Sequence, residues 1–320
     1  MQRLTRRLRR DERGAAAVVL SLLMVPLLGF TALAVDVGAV YAEKARLQTA
    51  ADAAALAVAQ DCARGACGDM LATATALVAA NNGGATSRPP VLSSAPTSVT
   101  VTGDKPVQHW FAPIIGIDST AVSATATVAW GNPGAGTAVL PLTFSWCEFD
   151  AQTHGGLPSG DISRTIRFTK TSATGCTGPS HNVVPGGFAY LDTDGGRCQA
   201  TSARNGRSAS STGNSVPSPC SEPDFSAWLC RPGHCPTVLL PLFDDWGSSG
   251  SNAWYHVYGY AAFKLTGFFL GGQFRTSPQP CSGNERCVAG YFTRFVDLSE
   301  RFTYTNDGPD LGAAILRLVR

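Results

Sequence analysis

An uninterrupted apolar segment near the N-terminus constrains this chain more than any other feature. Residues 15–35 contain no charged side chain and lie between Arg13 and Asp36. As an α-helix the segment would be about 31 Å long, which is enough to cross the hydrocarbon core of a bilayer. Its leucine, valine and alanine side chains favour insertion, and a helix satisfies the backbone where water is absent. The sequence therefore predicts a transmembrane helix over residues 15–35, bent but not ended at Pro26 and Gly29.

A cleaved secretory signal is the alternative interpretation of this segment. The run is long for the apolar region of a signal peptide, and it meets Asp36 without a clear small-x-small cleavage site, so we favour an uncleaved anchor. Residues 1–13 contain six arginines against two carboxylates. The positive-inside rule then predicts a cytoplasmic basic segment over residues 1–14, with the rest of a single-pass chain on the far side of the cell membrane.

Composition limits the classes of partner. The formal net charge is only +2, and much of the basic excess precedes the apolar segment. A basic arm that binds nucleic acid is therefore a weaker explanation than an anchor, and we expect no nucleic-acid partner.

All ten cysteines follow the apolar segment. They are Cys62, Cys67, Cys147, Cys176, Cys198, Cys220, Cys230, Cys235, Cys281 and Cys287. An even number on the exported side predicts disulfides in an oxidising compartment. Zinc is the alternative, but no two cysteines have the two-residue spacing of most structural zinc sites. We expect the nearest neighbours Cys62–Cys67, Cys230–Cys235 and Cys281–Cys287 to pair, while the other pairings stay open.

The helix is expected to continue beyond Asp36, because the following residues up to Gln60 are strong helix formers without proline. Small and apolar side chains recur at steps of three and four, which predicts one packing face. This face consists of Val40, Lys44, Leu47, Ala51, Ala54 and Val58. It packs either inside its own domain, as most such stripes do, or against another subunit.

A short helix capped by Asp69 is predicted next, followed by two segments with period-two alternation, residues 97–104 and 118–130. In the second segment Val122, Ala124, Ala126, Val128 and Trp130 share a face. The apolar residues 107–117 between these segments predict a buried turn or short helix. Residues 36–130 thus form a pilin-like long helix with a small antiparallel sheet.

The remainder is expected to be a second domain. Glycine-rich residues 131–136 predict a linker, residues 137–305 a disulfide-rich, mainly β extracytoplasmic domain, and residues 306–320 a C-terminal tail with a short amphipathic helix. Six strands are predicted within residues 139–146, 163–170, 186–192, 237–246, 254–272 and 290–298. The fold class is therefore α+β.

Motifs for enzymatic chemistry are absent from the sequence. It contains no GxxxxGK[ST], GxGxxG or GxSxG string, and its five histidines have unrelated contexts. Asp244 and Asp245 are adjacent, so on a strand they point to opposite faces and make no paired acid site. The string DTDGG at 192–196 lacks the glutamate of a calcium loop. We expect no enzyme, no catalytic residue, no cofactor and no metal.

The N-terminal sequence resembles the TadE/TadG-like proteins of the Flp (tight adherence, Tad) pilus machinery. The resemblance is carried by Arg-Gly at 13–14, VDVG at 35–38 and AADAAALA at 50–57, and HWFAPIIGIDSTAVSATATVAW at 109–130 is similar to the strand segment that closes this module. Val19 stands where pilins cleaved by prepilin peptidase have glutamate. The similarity is thus to the anchored TadG-like branch, and the second domain resembles the extensions of its actinobacterial members.

This resemblance implies a non-enzymatic envelope protein that helps to assemble, anchor or stabilise a surface pilus. Its expected partners are the lipid bilayer and other pilus-assembly or pilin-like proteins. The alternative is a surface-displayed, adhesin-like β domain that recognises cell-wall polymer or a host protein.

Overall fold

The computed structural model describes residues 12–172, 175–247 and 250–319. The predicted basic segment, residues 1–14, lies mostly outside these described residues, as do all of its arginines but Arg13.

The described residues contain four α-helices. They are α1 (Glu12–Ala63), α2 (Met70–Asn81), α3 (Trp146–Thr153) and α4 (Glu222–Ser226), with 3-10 helices at Ala112–Ile115, Thr169–Thr171 and Gly250–Asn252. The 52 residues of α1 run unbroken through Pro26, over a length of about 78 Å. Proline removes one N–H donor but leaves the rest of the ladder intact, so the predicted continuation past Asp36 is confirmed.

Helix α2 shows the predicted N-terminal cap. The Asp69 carboxylate accepts a hydrogen bond from the Ala72 N–H at 3.0 Å. The cap satisfies one of the donors that a helix start leaves without an intrahelical partner. Between α1 and α2, the Cys62–Cys67 disulfide closes a turn in which Gly65 has a positive φ of 93°.

Eighteen strands follow in the part of the chain that the structure describes. They are β1 (Thr86–Ser87), β2 (Val91–Ser94), β3 (Thr97–Gln108), β4 (Ser119–Ala138), β5 (Leu142–Ser145), β6 (Arg164–Arg167), β7 (Gly175–Thr177), β8 (Val183–Pro185), β9 (Phe188–Tyr190), β10 (Ala200–Ala203), β11 (Arg207–Ala209), β12 (Val238–Gly247), β13 (Trp254–Gly271), β14 (Phe274–Arg275), β15 (Cys287–Thr293), β16 (Phe295–Asp297), β17 (Phe302–Thr305) and β18 (Ala313–Val319). Each of the six strand segments predicted in the second half contains an observed strand.

The first sheet has the order β1-β3-β4-β18-β16, with β2 on β3 and with β10 and β17 on β4. The second half of α1 and helix α2 pack on one face of it. The predicted shared face of β4 is confirmed and packs on the core: Val122, Ala124, Ala126 and Val128 are buried there, and Trp130 is partly buried. This helix-and-sheet unit has its own apolar core.

The second sheet has the order β6-β15-β13-β12-β5-β9, with β11 and β14 on β13. Its pairs are antiparallel except β5 with β12. The core is aromatic, and Phe144 contacts the rings of Phe188, Phe263 and Phe292. Strand β13 is covered on both faces, because its Tyr260 ring is buried against Phe302.

Residues 131–136 are not a linker, contrary to the sequence-based expectation. They belong to β4, which runs through them and pairs with β17. The glycines are required by close packing: a Cβ on Gly131 would lie 2.7 Å from the Thr305 carbonyl oxygen, and one on Gly136 would lie 2.3 Å from the Phe302 ring. Glycine here marks contact between backbones rather than flexibility.

The C-terminal residues also differ from expectation. Instead of an amphipathic helix, residues 313–319 form β18, antiparallel to β4 and parallel to β16. Ala314 and Leu316 join the core between α1 and the first sheet, while Ala313 and Ile315 join the aromatic core. A short apolar run buried on both faces fits a strand and a helix equally well, which explains the wrong prediction. Residues 313–319 thus complete the first sheet.

Replacing Gly136 with alanine tests the close approach of β4 and β17. The added methyl group meets the Phe302 ring and the Arg301 carbonyl, so we expect a loss of about 1–3 kcal/mol in the free energy of unfolding. Thermal unfolding of the detergent-solubilised full chain measures it. Gly160→Ala is the matched control, since nothing lies within 4 Å of its Cβ position. Equal midpoints for the two variants would restore the linker interpretation.

Truncating Leu316 tests the role of β18 in the first core. The side chain is fully buried between α1 and the sheet, so Leu316→Ala is expected to cost about 2–5 kcal/mol. Chemical denaturation of the same preparation gives the value. Val319→Ala, at the exposed end of the strand, should change stability far less. A tail that docks loosely would leave both variants like the parent.

Candidate membrane and assembly site

The candidate site lies where the apolar half of α1 meets the connection between β3 and β4. The two strands pair up to Gln108 and Ser119, so residues 109–118 form the end of a long hairpin. We call these residues the hairpin tip. Within it the 3-10 helix Ala112–Ile115 ends at Gly116, whose φ of 84° is the left-handed conformation that glycine tolerates. The tip is short and folded rather than an open loop.

Asp36 joins α1 to the hairpin tip. Its side chain is buried, and its carboxylate accepts hydrogen bonds from the N–H groups of Trp110 at 2.8 Å, Phe111 at 3.0 Å and Ala112 at 2.8 Å. These donors lie at the start of the 3-10 helix, where no helical carbonyl is available to them. Three charge-assisted hydrogen bonds offset the cost of burying the carboxylate. Asp36 therefore caps the tip from another element.

A second polar contact lies further along the same face of α1. Lys105 of β3 donates hydrogen bonds from Nζ to Glu43 Oε1 at 2.7 Å and to Asn82 Oδ1, at the end of α2, at 2.6 Å. The hydrogen bond from Lys105 is the main cause that holds the pKa of Glu43 below its ordinary value. The stability from this pair is therefore present above the ordinary carboxyl pKa and is lost as the pH falls through the lowered one.

The predicted packing face of α1 lies against its own sheet. Leu47, Ala51, Ala54 and Val58 are fully buried beside β3, β4 and β18, and Val40 is partly buried at the edge. This placement favours packing within the domain over contact with another subunit. Lys44 differs from the expectation, since it is exposed and Glu43 lies on the face instead. The residues of α1 that face the sheet are Asp36, Val40, Glu43 and Leu47. The sequence-based face did not include Asp36 or Glu43, because it was chosen mainly from apolar residues.

The carboxylates of Asp36 and Glu43 are features of the sequence that indicate this site. A charged side chain at the spacing of an otherwise apolar face marks a position where a buried ion needs a partner from another element. From the sequence alone, neither Asp36 nor Glu43 is assigned a partner in another element.

The cysteines form five disulfides: Cys62–Cys67, Cys147–Cys176, Cys198–Cys220, Cys230–Cys235 and Cys281–Cys287. The three nearest-neighbour pairs are the expected ones. Four of the five bridges lie in the second half of the chain, where they close loops between short strands. Such bridges restrict the unfolded chain and hold loops that contribute little to the core.

Asp244 and Asp245 do not face each other as a paired acid site. Asp244 is buried and its carboxylate contacts His256 Nδ1 at 2.7 Å, whereas Asp245 accepts from the Trp246 N–H on the other side of β12. Within residues 12–172, 175–247 and 250–319, no group of three or more His, Cys, Asp or Glu side chains is arranged to hold a metal ion.

The apolar half of α1 is the largest uncovered surface at the site. Among the described residues, α1 contains the single segment that is long and apolar enough to cross a membrane, and none of its most apolar window is buried in the fold. Beyond Asp36 the same helix is covered by the sheet. The helix therefore changes near Asp36 from a largely exposed apolar segment to one whose inner face is buried in the core.

Asp36→Asn tests the cap. The amide keeps the size of the side chain but removes the charge and one acceptor, so the three N–H donors lose about 1–3 kcal/mol of stabilisation. Hydrogen exchange of the peptide that covers residues 108–119 is expected to accelerate. Asp118→Asn is the control, because Asp118 lies in the same tip with an exposed side chain. Unchanged exchange in Asp36→Asn would mean that the carboxylate does not hold the tip.

Comparison with known proteins gives one match. The model of the family described as putative Flp pilus-assembly TadE/G-like matches residues 14–61, which span the apolar half of α1 and most of its buried half. No curated protein and no solved structure matches the chain. The matched residues include Asp36, Glu43 and the alanine-rich packing face. Over residues 14–61, the long N-terminal helix of this chain is therefore similar to the TadE/G-like Flp pilus-assembly domain.

Proposed function

We propose that this protein is a membrane-anchored, non-enzymatic component that assembles or anchors an Flp-type pilus at the cell envelope. The observation that carries the proposal is the family match on α1, whose apolar half stays uncovered while its other half is fixed in a folded domain. An exposed apolar helix needs lipid or another helix around it. Both partners are expected for a pilus-assembly protein.

The proposed orientation places the N-terminus in the cytoplasm and both sheets outside it. The arginines before the apolar segment favour this direction by the positive-inside rule. The five disulfides support it, because such bonds persist in oxidising compartments. Protease added to intact cells from which the wall has been removed should then digest the sheets and spare the N-terminal segment.

A second candidate function is ligand binding by the second half of the chain. A cleft of about 300 Å³ is lined by aromatic side chains that include Trp246, Trp254 and Tyr255. The Arg207 guanidinium stacks 3.9 Å from the Trp254 ring centroid, and Trp246 is about half exposed. Aromatic walls of this kind suit a sugar of the cell-wall polymer or a partner protein. The protein would then act as an adhesin rather than as an assembly factor.

One complementation experiment separates the two functions. In a strain that lacks the protein, the assembly role predicts that pili disappear from electron micrographs and that the parent chain restores them. The adhesin role predicts normal pili with poor attachment to surfaces. Leu27→Arg places a charge in the apolar segment, with an insertion cost of about 2.5–3.5 kcal/mol, and should fail to restore pili. Ile162→Arg, at an equally exposed position in the second half, should restore them.

A further inference from the structure

We propose that the hairpin tip, residues 109–118, inserts into the lipid bilayer beside α1 and forms a second membrane contact. The inference rests on the proposed membrane insertion of α1 and goes beyond it, since it assigns lipid contact to an element of the folded domain.

Exposure is the first observation. The sequence predicted that this apolar stretch is buried, and the structure corrects that prediction: Trp110 is 80% exposed, Ile114 86% and Ile115 72%. Phe111 and Ile117 are also exposed, so five large apolar side chains lie together in one tip. A folded domain rarely leaves such a patch in water, where each side chain loses the free energy of burial.

Depth is the second observation. Phe111, Ile114 and Ile115 line one groove together with Gly29, Ala32 and Leu33 of α1. Gly29 lies about 10 Å along the helix axis from Asp36, towards the middle of the apolar segment. The polar layer on each side of a bilayer is only about 5–8 Å thick. When the apolar segment crosses the membrane, the tip beside it is carried into the lipid.

The backbone of the tip is the third observation. Hydrocarbon offers no partner to an N–H group, so a loop can enter it only if its donors are already satisfied. Asp36 accepts from three of them. Four more donate to carbonyls within the tip, namely His109 to Asp118, Ile114 to Phe111, Gly116 to Pro113, and Ile117 to Ala112. Residue 113 is proline and has no N–H. Seven of the nine N–H groups in residues 109–118 therefore have partners within the fold, which lowers the cost of moving this backbone out of water.

Lipid is the occupant that these observations favour. The apolar surface of the tip is continuous with the uncovered half of α1, which needs the same surroundings. Trp110 adds the residue type that concentrates at the membrane interface. A second copy of the chain packed over the tip is the competing occupant, and the experiment below distinguishes it.

Fluorescence quenching by lipid tests the proposal on the full chain. The protein is reconstituted into phosphatidylcholine vesicles with brominated or ordinary acyl chains, and tryptophan emission is compared. The chain has six tryptophans and none in the apolar segment of α1, so α1 itself contributes no signal. Trp110→Phe should lose most of the emission that bromine quenches. Trp246→Phe, an exposed tryptophan of the second half, should keep it.

The outcomes separate this proposal from the function on which it rests. If alkaline carbonate leaves the protein in the vesicles but the quenched emission is the same in Trp110→Phe as in the parent, the anchor stands and lipid insertion of the tip is overturned. Release of the protein by carbonate would instead contradict the anchor. Loss of Trp110 quenching as the protein-to-lipid ratio rises would show a second copy over the tip, which also overturns the proposal.

Discussion

The contact between Asp36 and the hairpin tip is the constraint on which the arrangement of this protein depends. A buried carboxylate next to an apolar segment costs free energy unless donors surround it. The start of a 3-10 helix has N–H groups without partners. Each group supplies what the other lacks, at distances of 2.8–3.0 Å. The bond therefore fixes where along α1 the first sheet begins.

Apolar packing alone would not fix that position. The buried face of α1 is rich in alanine, and a shift along the helix by one turn exchanges one small side chain for another. Asp36 and Glu43 lie on the same face, and each has partners at a single place, the tip for one and Lys105 with Asn82 for the other. The polar contacts thus determine the position of α1 along the sheet, while the small alanine side chains allow the helix to pack close to it.

Local periodicity predicted much of the fold, because residues on one face recur about every 3.6 residues in a helix and every 2 residues in a strand. It gave α1, the cap of α2, the buried face of β4 and the six strand segments. Periodicity failed where contacts with residues distant in sequence determine the local structure. Gly136 looks like a flexible position until Phe302 is placed over it, and Ile315 looks helical until both of its neighbouring cores are known. At the candidate site, sequence showed that residues 107–117 are apolar but not whether protein or lipid covers them.

Strand β4 connects the exposed tip directly to the disulfide-bonded half of the chain. The strand has 20 residues and is about 65 Å long if fully extended. It runs without interruption from the tip beside the apolar segment to Ala138. Strand β18 lies against it and sends alternate side chains into both cores, so the two units cannot turn freely about residues 131–136. In the proposed anchoring role, a load on the disulfide-bonded half would reach the tip and Asp36 through these hydrogen-bonded strands. This continuity suits the proposed role, because a flexible linker would transfer the load to the helix alone.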